Sequence, residues 1–300
     1  MNAPLPEIAA GVAALVMPIS NAYLAGDARA WVLVDAGVPG KAGKIRHAAE
    51  ARFGAEARPA AIVLTHGHFD HAGSAGELAQ FWQVPVFAPR LEMPFLTGRS
   101  AYPPLDPTAP GFFSGMSRLF PSHTVNLAGI VEPFGAGWHV PGMPDWEIVE
   151  TPGHTAGHVS FFRRADGVLL AGDALTTMNL DSAVDTLLRR QCVCRPPVPA
   201  TTDWQKARAS VQRLAALRPR VIAAGHGLPI ADAADALERL AANFPMPARG
   251  RYARTPARFD ANGVVYLPPA PPDPVPALAA GVAVGLLAGA IAERLAHRRR

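Results

Sequence analysis

Cysteine is scarce in this chain: 300 residues hold two, Cys192 and Cys194. One intervening residue is poor geometry for a mutual bridge, and two thiols make no disulfide framework. They read as reduced thiols, as expected of a cytoplasmic chain. As a C-x-C metal site they lack a further thiol partner. Basic residues are missing ahead of the apolar run from Ile8 to Ile19, so a secretory leader is not expected. The body also lacks the positive charge that the net +4 suggests. From Ala248 onward, eight arginines face three acids, whereas the rest carries 20 basic and 21 acidic residues. A near-neutral body argues against a nucleic-acid channel, and no nucleic-acid partner is expected. No run reaches the roughly 20 apolar residues of a membrane-spanning helix. Residues 277–292 come nearest, with 16.

What is present alternates. Ala30 to Val34 reads as a strand ending in Asp35-Ala36-Gly37, and together with the preceding NAYLAG it forms a hairpin around Gly26-Asp27. Residues 41–53 read as a helix and Ala61 to Leu64 as a buried strand. A helix from about Ser74 to Trp82 follows, then a strand at Pro85 to Phe87. This patterning marks sheets covered by helices. Residues 88–145 break it with ten prolines and seven glycines. Such an insert reads as a lid or substrate wall. Its aromatic and thioether side chains (Phe95, Tyr102, Phe112, Phe113, Met116 and Phe120) are candidates for an apolar pocket, or for anchoring the insert to the core. The rhythm then resumes with strands at Trp146 to Glu150, Val159 to Arg163, Val168 to Ala171 and Val221 to Ala224, and helices over 203–217 and 230–243. Proline density marks a linker over 246–276, before the apolar tail of 277–300.

The chemistry concentrates in LTHGHFDHAG, residues 64–73. His66, His68, Asp70 and His71 follow a buried strand, where ligands two residues apart project the same way. The i, i+2 spacing is wrong for one helix face, so the site belongs to a strand end and loop. A catalytic metal wants a third ligand and an open position. His154 follows a strand within Thr151-Pro152-Gly153, Asp173 ends VLLAG, and His226 ends VIAAG. His47, His123, His139 and His297 carry no such context.

In that order, the motifs DAG, THGHFDH, TPGHTAGH, AGDA and GHG resemble the metallo-β-lactamase-fold hydrolase superfamily over about residues 10–243. The resemblance implies an α/β fold: an αββα four-layer sandwich with the metals at one edge. The catalytic domain would span 1–245, followed by the linker and an apolar helical tail. His66, His68 and His154 would hold one metal, Asp70, His71 and His226 a second, and Asp173 would bridge them. Asp35 and His158 would support the ligands from behind. Two divalent ions are implied, zinc first, with iron or manganese also suited to imidazole and carboxylate. A bridging hydroxide would attack the substrate carbonyl, with Asp70 holding its proton.

Asp173 argues against a true β-lactamase, in which that bridge is missing, and for the glyoxalase II and lactonase branch. The chain shows no equivalent of the basic glutathione-holding region, and the neutral body does not suit a ribonuclease. The expectation is a small-molecule ester, thioester or lactone hydrolase, with no substrate-binding residue assigned. The alternatives are a mononuclear iron persulfide dioxygenase using His66, His154 and Asp173, or a membrane-associated module with an incidental metal site. Gly281, Gly285 and Gly289 recur at the spacing of close helix contacts in lipid. Peripheral membrane contact or self-association through 277–292 is therefore kept open for an otherwise cytoplasmic protein.

Overall fold

In the computed structural model, residues 5–120, 125–135, 137–273 and 275 are described. The first sheet has seven strands whose spatial order follows the sequence: β1 (Glu7–Ala9), β2 (Val12–Leu15), β3 (Ala22–Gly26), β4 (Trp31–Val34), β5 (Ala61–Val63), β6 (Val86–Pro89) and β7 (Val131–Phe134). β1 to β4 pair antiparallel, and β4 to β7 pair parallel. The helices α1 (Ala42–Phe53), α2 (Phe69–Ala72) and α3 (Ala75–Trp82) lie between strands of the parallel half. Two more short helices, α4 (Met93–Leu96) and α5 (Phe112–Met116), lie in the insert.

The second sheet contains β8 (Trp146–Glu150), β9 (Val159–Arg163) and β10 (Val168–Gly172). A hairpin of β11 (Thr176–Met178) and β12 (Gln191–Cys194) then brackets helix α6 (Ala183–Leu188). Helix α7 (Trp204–Ala216) leads to β13 (Val221–Ala224) and β14 (Ile230–Ala231), which complete that sheet in the order β14-β13-β10-β9-β8. Helix α8 (Ala234–Ala242) follows, then a hairpin of β15 (Arg258–Asp260) and β16 (Gly263–Tyr266).

The layers follow from the two-residue period of each strand, which sends alternate side chains to opposite faces. On β4, Trp31 and Leu33 face the α1/α3 core, while Val32 and Val34 face the other sheet. On β10, Val168 and Leu170 meet that same inter-sheet core, and Leu169 and Ala171 pack under α7 and α8. Phe161 is fully buried between the sheets. The result is the αββα sandwich expected. Strands buried on both faces explain why the sequence shows continuous apolar runs rather than alternation.

Three regions differ from the sequence reading. The insert is not wholly irregular, because it supplies β7, whose Pro133 occupies the edge of the sheet where a missing N–H costs no ladder bond. Residues 246–268 do not behave as a free linker. Tyr252 is buried with its hydroxyl on the Pro104 carbonyl at 2.8 Å, and the compact unit that holds both sheets extends to Pro268. The third difference is at Cys192 and Cys194, which are paired on β12 rather than free, with Cα atoms 5.9 Å apart. The register shift in the β11/β12 ladder explains how side chains two apart on a strand can meet. The cysteines therefore carry no argument for a reducing compartment. No helix among the described residues is long and apolar enough to cross a membrane. Residues 277–292, and with them the tail readings, lie outside the described residues, as do His123 and His297.

Candidate metal centre

Every candidate residue emerges just beyond the end of a strand, along one edge of the sandwich. β4 delivers Asp35, β5 the loop to His66 and His68, β8 the turn to His154, β10 Asp173 and β13 His226. The opening motif is only partly a loop. His68 is the N-cap of α2, and Asp70 and His71 occupy its single turn. That turn lets one short stretch aim ligands in two directions, which extended backbone would not do.

Three ring nitrogens converge first. Nδ1 of His68 lies 3.0 Å from Nε2 of His66 and 3.0 Å from Nε2 of His154. Tetrahedral zinc with bonds of about 2.05 Å would separate its ligand nitrogens by roughly 3.3 Å, close to this spacing. A second group gathers Asp70, His71 and His226, with Asp70 Oδ2 3.5 Å from Nε2 of His226 and 3.8 Å from Nε2 of His71. Asp173 lies between the groups. Its Oδ1 is 3.4 Å from Nε2 of His71, and its Oδ2 is 3.4 Å from Nε2 of His154 and 3.1 Å from Nε2 of His226.

Four of the five imidazoles are oriented from behind. His66 Nδ1 contacts Thr65 Oγ1 at 3.0 Å, and the Thr65 hydroxyl in turn donates to Asp35. His71 Nδ1 donates to Asp35 Oδ2 at 2.8 Å, and His226 Nδ1 to the Ile19 carbonyl at 2.7 Å. His154 Nδ1 faces Thr201 Oγ1 at 3.3 Å, whose own proton goes to the Pro197 carbonyl. With the outer nitrogen occupied as a donor, the inner lone pair points into the site, the usual arrangement behind metal-bound histidine. His158 is not among the converging groups. Its Nε2 accepts the backbone N–H of Asp173 at 2.8 Å, so it holds Asp173 from behind. His139 and His47 are in neither group.

The electrostatics separate the two groups. Burial holds His66 and His154 well below the usual imidazole range and brings His68 down to about 4, so this trio stays neutral with free lone pairs. At His71 and His226 burial opposes the cation, but the surrounding carboxylates together raise both: Asp173, Asp35 and Asp70 at His71, and Asp173 and Asp70 at His226. Burial disfavours the Asp173 anion in turn, yet the facing His226 and His71 charges hold its carboxyl well below the usual range. Two buried atoms, His71 Nε2 and Asp173 Oδ1, have no hydrogen-bond partner. Facing orphans of this kind suit a cation, so the donor set fits a divalent metal.

The centre opens into a cavity of about 310 Å³. His68, Asp70, His154, Asp173 and His226 form its floor, and Ile19, Phe69, Tyr102, Leu105, Phe113 and Phe120 line its walls. Of the insert's candidate pocket residues, Tyr102, Phe113 and Phe120 line it. Phe95 instead stacks beneath Tyr102, and Phe112 faces outward.

Two residues that the sequence did not reveal stand behind the centre. Glu92 is fully buried and accepts from Gly67 N–H, Thr155, Gly157 N–H and Tyr102. Burial raises its carboxyl, and those donors oppose the rise. Asn21 donates through Nδ2 to the Gly227 carbonyl at 2.6 Å, tying the β2–β3 turn to the loop of His226. An isolated Glu or Asn carries no motif; only the fold shows what it touches.

Imidazole and carboxylate groups in two adjoining clusters, at the strand ends of an αββα sandwich, are the arrangement of a metal-dependent hydrolase. Residues 17–226 match the sequence profile described as "Metallo-beta-lactamase superfamily", and the chain belongs to that family. It is 40% identical over 228 residues to the probable metallo-hydrolase YflN of Bacillus subtilis, covering 75% of this chain and 86% of that one. A hydroxyacylglutathione hydrolase of Halorhodospira halophila is 30% identical over 120 residues, 39% of this chain and 33% of its own. Among solved structures, a metallo-beta-lactamase family protein from Thermus thermophilus is similar, with a TM-score of 0.56 and 26% identity over 79% of this chain and 80% of that one.

Proposed function

We propose that this hydrolase holds two divalent ions, zinc by preference with iron or manganese admissible, and cleaves a small ester, thioester or lactone with an apolar acyl or aryl part. His66, His68 and His154 would hold one ion and Asp70, His71 and His226 the other. The observation that carries the reading is the position of Asp173, whose two oxygens face both groups at 3.1–3.4 Å. Asp173 Oδ1 and His71 Nε2 face each other at 3.4 Å without a hydrogen bond, a spacing that a cation bound to both would suit. When bound, two such ions supply a water that ionises near neutral pH and polarise the substrate carbonyl.

The remaining work falls to the chain. Asp70 lines the cavity while approaching His226, so its carboxylate can accept a hydrogen bond from the attacking hydroxide and fix its orientation. The walls formed by Ile19, Leu105, Phe113 and Phe120 favour an apolar substrate group and exclude bulk water.

The test is metal analysis of the purified full chain, followed by a panel of lactones, thioesters and aryl esters. Two metal equivalents per chain and turnover within that panel are expected, and Asp173→Ala should lose the second equivalent and nearly all turnover. One tightly held iron with no second metal would overturn the proposal.

A further inference from the structure

Glu92 lies outside the metal-ligand set, yet it touches both ligand-bearing loops. Its Oε2 accepts the backbone N–H of Gly67, between His66 and His68, at 3.1 Å. Its Oε1 accepts the backbone N–H of Gly157 at 2.7 Å and the Thr155 hydroxyl at 2.8 Å, both just beyond His154. The Tyr102 hydroxyl donates to Oε2. Both glycines leave room for the clasp. A Cβ on Gly157 would stand 2.9 Å from Glu92 Oε1, and one on Gly67 would strike the Tyr102 hydroxyl. Burying a carboxylate is costly, and the cost is tolerated only when its lone pairs are filled, as they are here by four donors from three segments.

We infer that Glu92 is a positioning residue. It clamps the His66–His68 loop to the His154 loop and so sets the spacing of the three ring nitrogens that converge at 3.0 Å. Tyr102 extends the clamp to the cavity wall. Its ring centroid lies 4.6 Å from that of His68, and it stacks on Phe95 at 4.2 Å. The inference rests on the ligand roles proposed above for His66, His68 and His154.

The isosteric change Glu92→Gln isolates the effect. Each carboxylate oxygen faces one hydroxyl, which can rotate and accept, and one backbone N–H, which cannot. A glutamine has a single acceptor oxygen, so its NH2 must confront either the Gly67 or the Gly157 N–H, and one loop is released.

The experiment uses the full chain stripped of metal and titrated with zinc against a chromophoric chelator, with the thermal midpoint of the metal-free protein measured alongside. E92Q is expected to lose about 10- to 100-fold in affinity for one zinc equivalent, the range for residues that orient ligands. Y102F leaves both backbone anchors in place and should stay within about threefold of wild type, far short of that range. An unchanged zinc affinity in E92Q would overturn the inference. So would a loss explained entirely by unfolding of the metal-free variant, which would make Glu92 a fold-stabilising residue only. If E92Q does not fold, G157A pushes on the same oxygen from the other loop: loss of zinc affinity supports the clamp, and retention overturns it. Failure of the wild type to bind zinc, iron or manganese would instead strike the ligand assignment itself.

Discussion

The backbone N–H of Asp173 donates to Nε2 of His158 at 2.8 Å, which fixes the tautomer of that histidine. With Nε2 accepting, the ring proton sits on Nδ1 and is donated to Thr151 Oγ1 at 2.8 Å. The Thr151 hydroxyl then turns to Ser160 Oγ at 3.0 Å, and Ser160 ends the chain on the Ala171 carbonyl at 2.9 Å. The chain begins at Asp173 and returns to the strand that carries it, so the carboxylate is aimed by a closed circuit through β8, β9 and β10.

Replacing His158 with alanine should therefore act at Asp173. It leaves a buried N–H without an acceptor, which costs about 1–3 kcal/mol. Metal affinity should also fall, by about 10- to 100-fold. Denaturant midpoints of the metal-free protein and a chelator titration read the two effects separately. A variant as stable and as metal-avid as wild type would show that the circuit is idle.

The same residue gives stability a pH dependence of known sign. Burial brings His158 down to about 3, with the Asp173 charge opposing and those of His71 and His68 adding to the drop. An unfolded histidine titrates near 6.5, so across this interval the unfolded chain binds the extra proton. The stability contributed by neutral His158 is full above pH 6.5 and is lost as pH falls through the interval towards 3. His71 and His226, whose values are raised, act in the opposite direction, above pH 6.5. Metal-free wild type should lose stability on acidification below 6.5 more steeply than H158Q, by up to about 1.4 kcal/mol per pH unit. Parallel slopes would remove the assignment.

Much of this centre was legible in the sequence because the fold places ligands at a detectable kind of boundary. Short apolar runs such as VLLAG and VIAAG, bounded by glycine, read as buried strands, and a polar residue at once beyond such a run sits at a sheet edge. Asp173 and His226 stand at such ends, and the short motifs AGDA and GHG mark them in the family resemblance. Glu92 was not legible, since its burial depends on donors from residues 67, 102, 155 and 157 that only the folded chain assembles. β7 was hidden by its own proline, and β15/β16 by the proline-rich surroundings, because composition reports flexibility and not pairing. The Cys192–Cys194 pairing escaped because it depends on a register shift in a hairpin whose strands are three and four residues long.

Asp35 offers a cleaner test of ligand orientation than any ligand does. One oxygen accepts the Thr65 N–H at 2.8 Å, and the other accepts the Thr65 hydroxyl at 2.9 Å and His71 Nδ1 at 2.8 Å. The backbone stands at φ 59°, a conformation in which asparagine is among the best-tolerated residues. Asp35→Asn should therefore keep the fold while losing one of these acceptors. The expected result is about a 10- to 100-fold loss of affinity for the second metal equivalent, read by chelator titration. Full retention of two equivalents would count against the role given to His71.

Gly225 makes the case for the second metal from the opposite side. Its N–H donates to the Gly172 carbonyl at 2.8 Å, and its carbonyl accepts the Asn21 N–H at 2.8 Å, so the backbone cannot retreat. An added Cβ would strike Asp173 Oδ1 and come within 2.5 Å of Cε1 of His71. The methyl of Gly225→Ala would thus enter the space between Asp173 Oδ1 and His71 Nε2, where the second cation is proposed to sit. Overpacking of this kind costs about 1–3 kcal/mol in the metal-free protein. The diagnostic effect lies elsewhere. A ligand at 100 times its dissociation constant adds about 2.7 kcal/mol of stability. Wild type should gain that increment for each metal equivalent, whereas G225A should gain it for the first only. A variant stabilised by both equivalents as strongly as wild type would place the second cation away from Asp173.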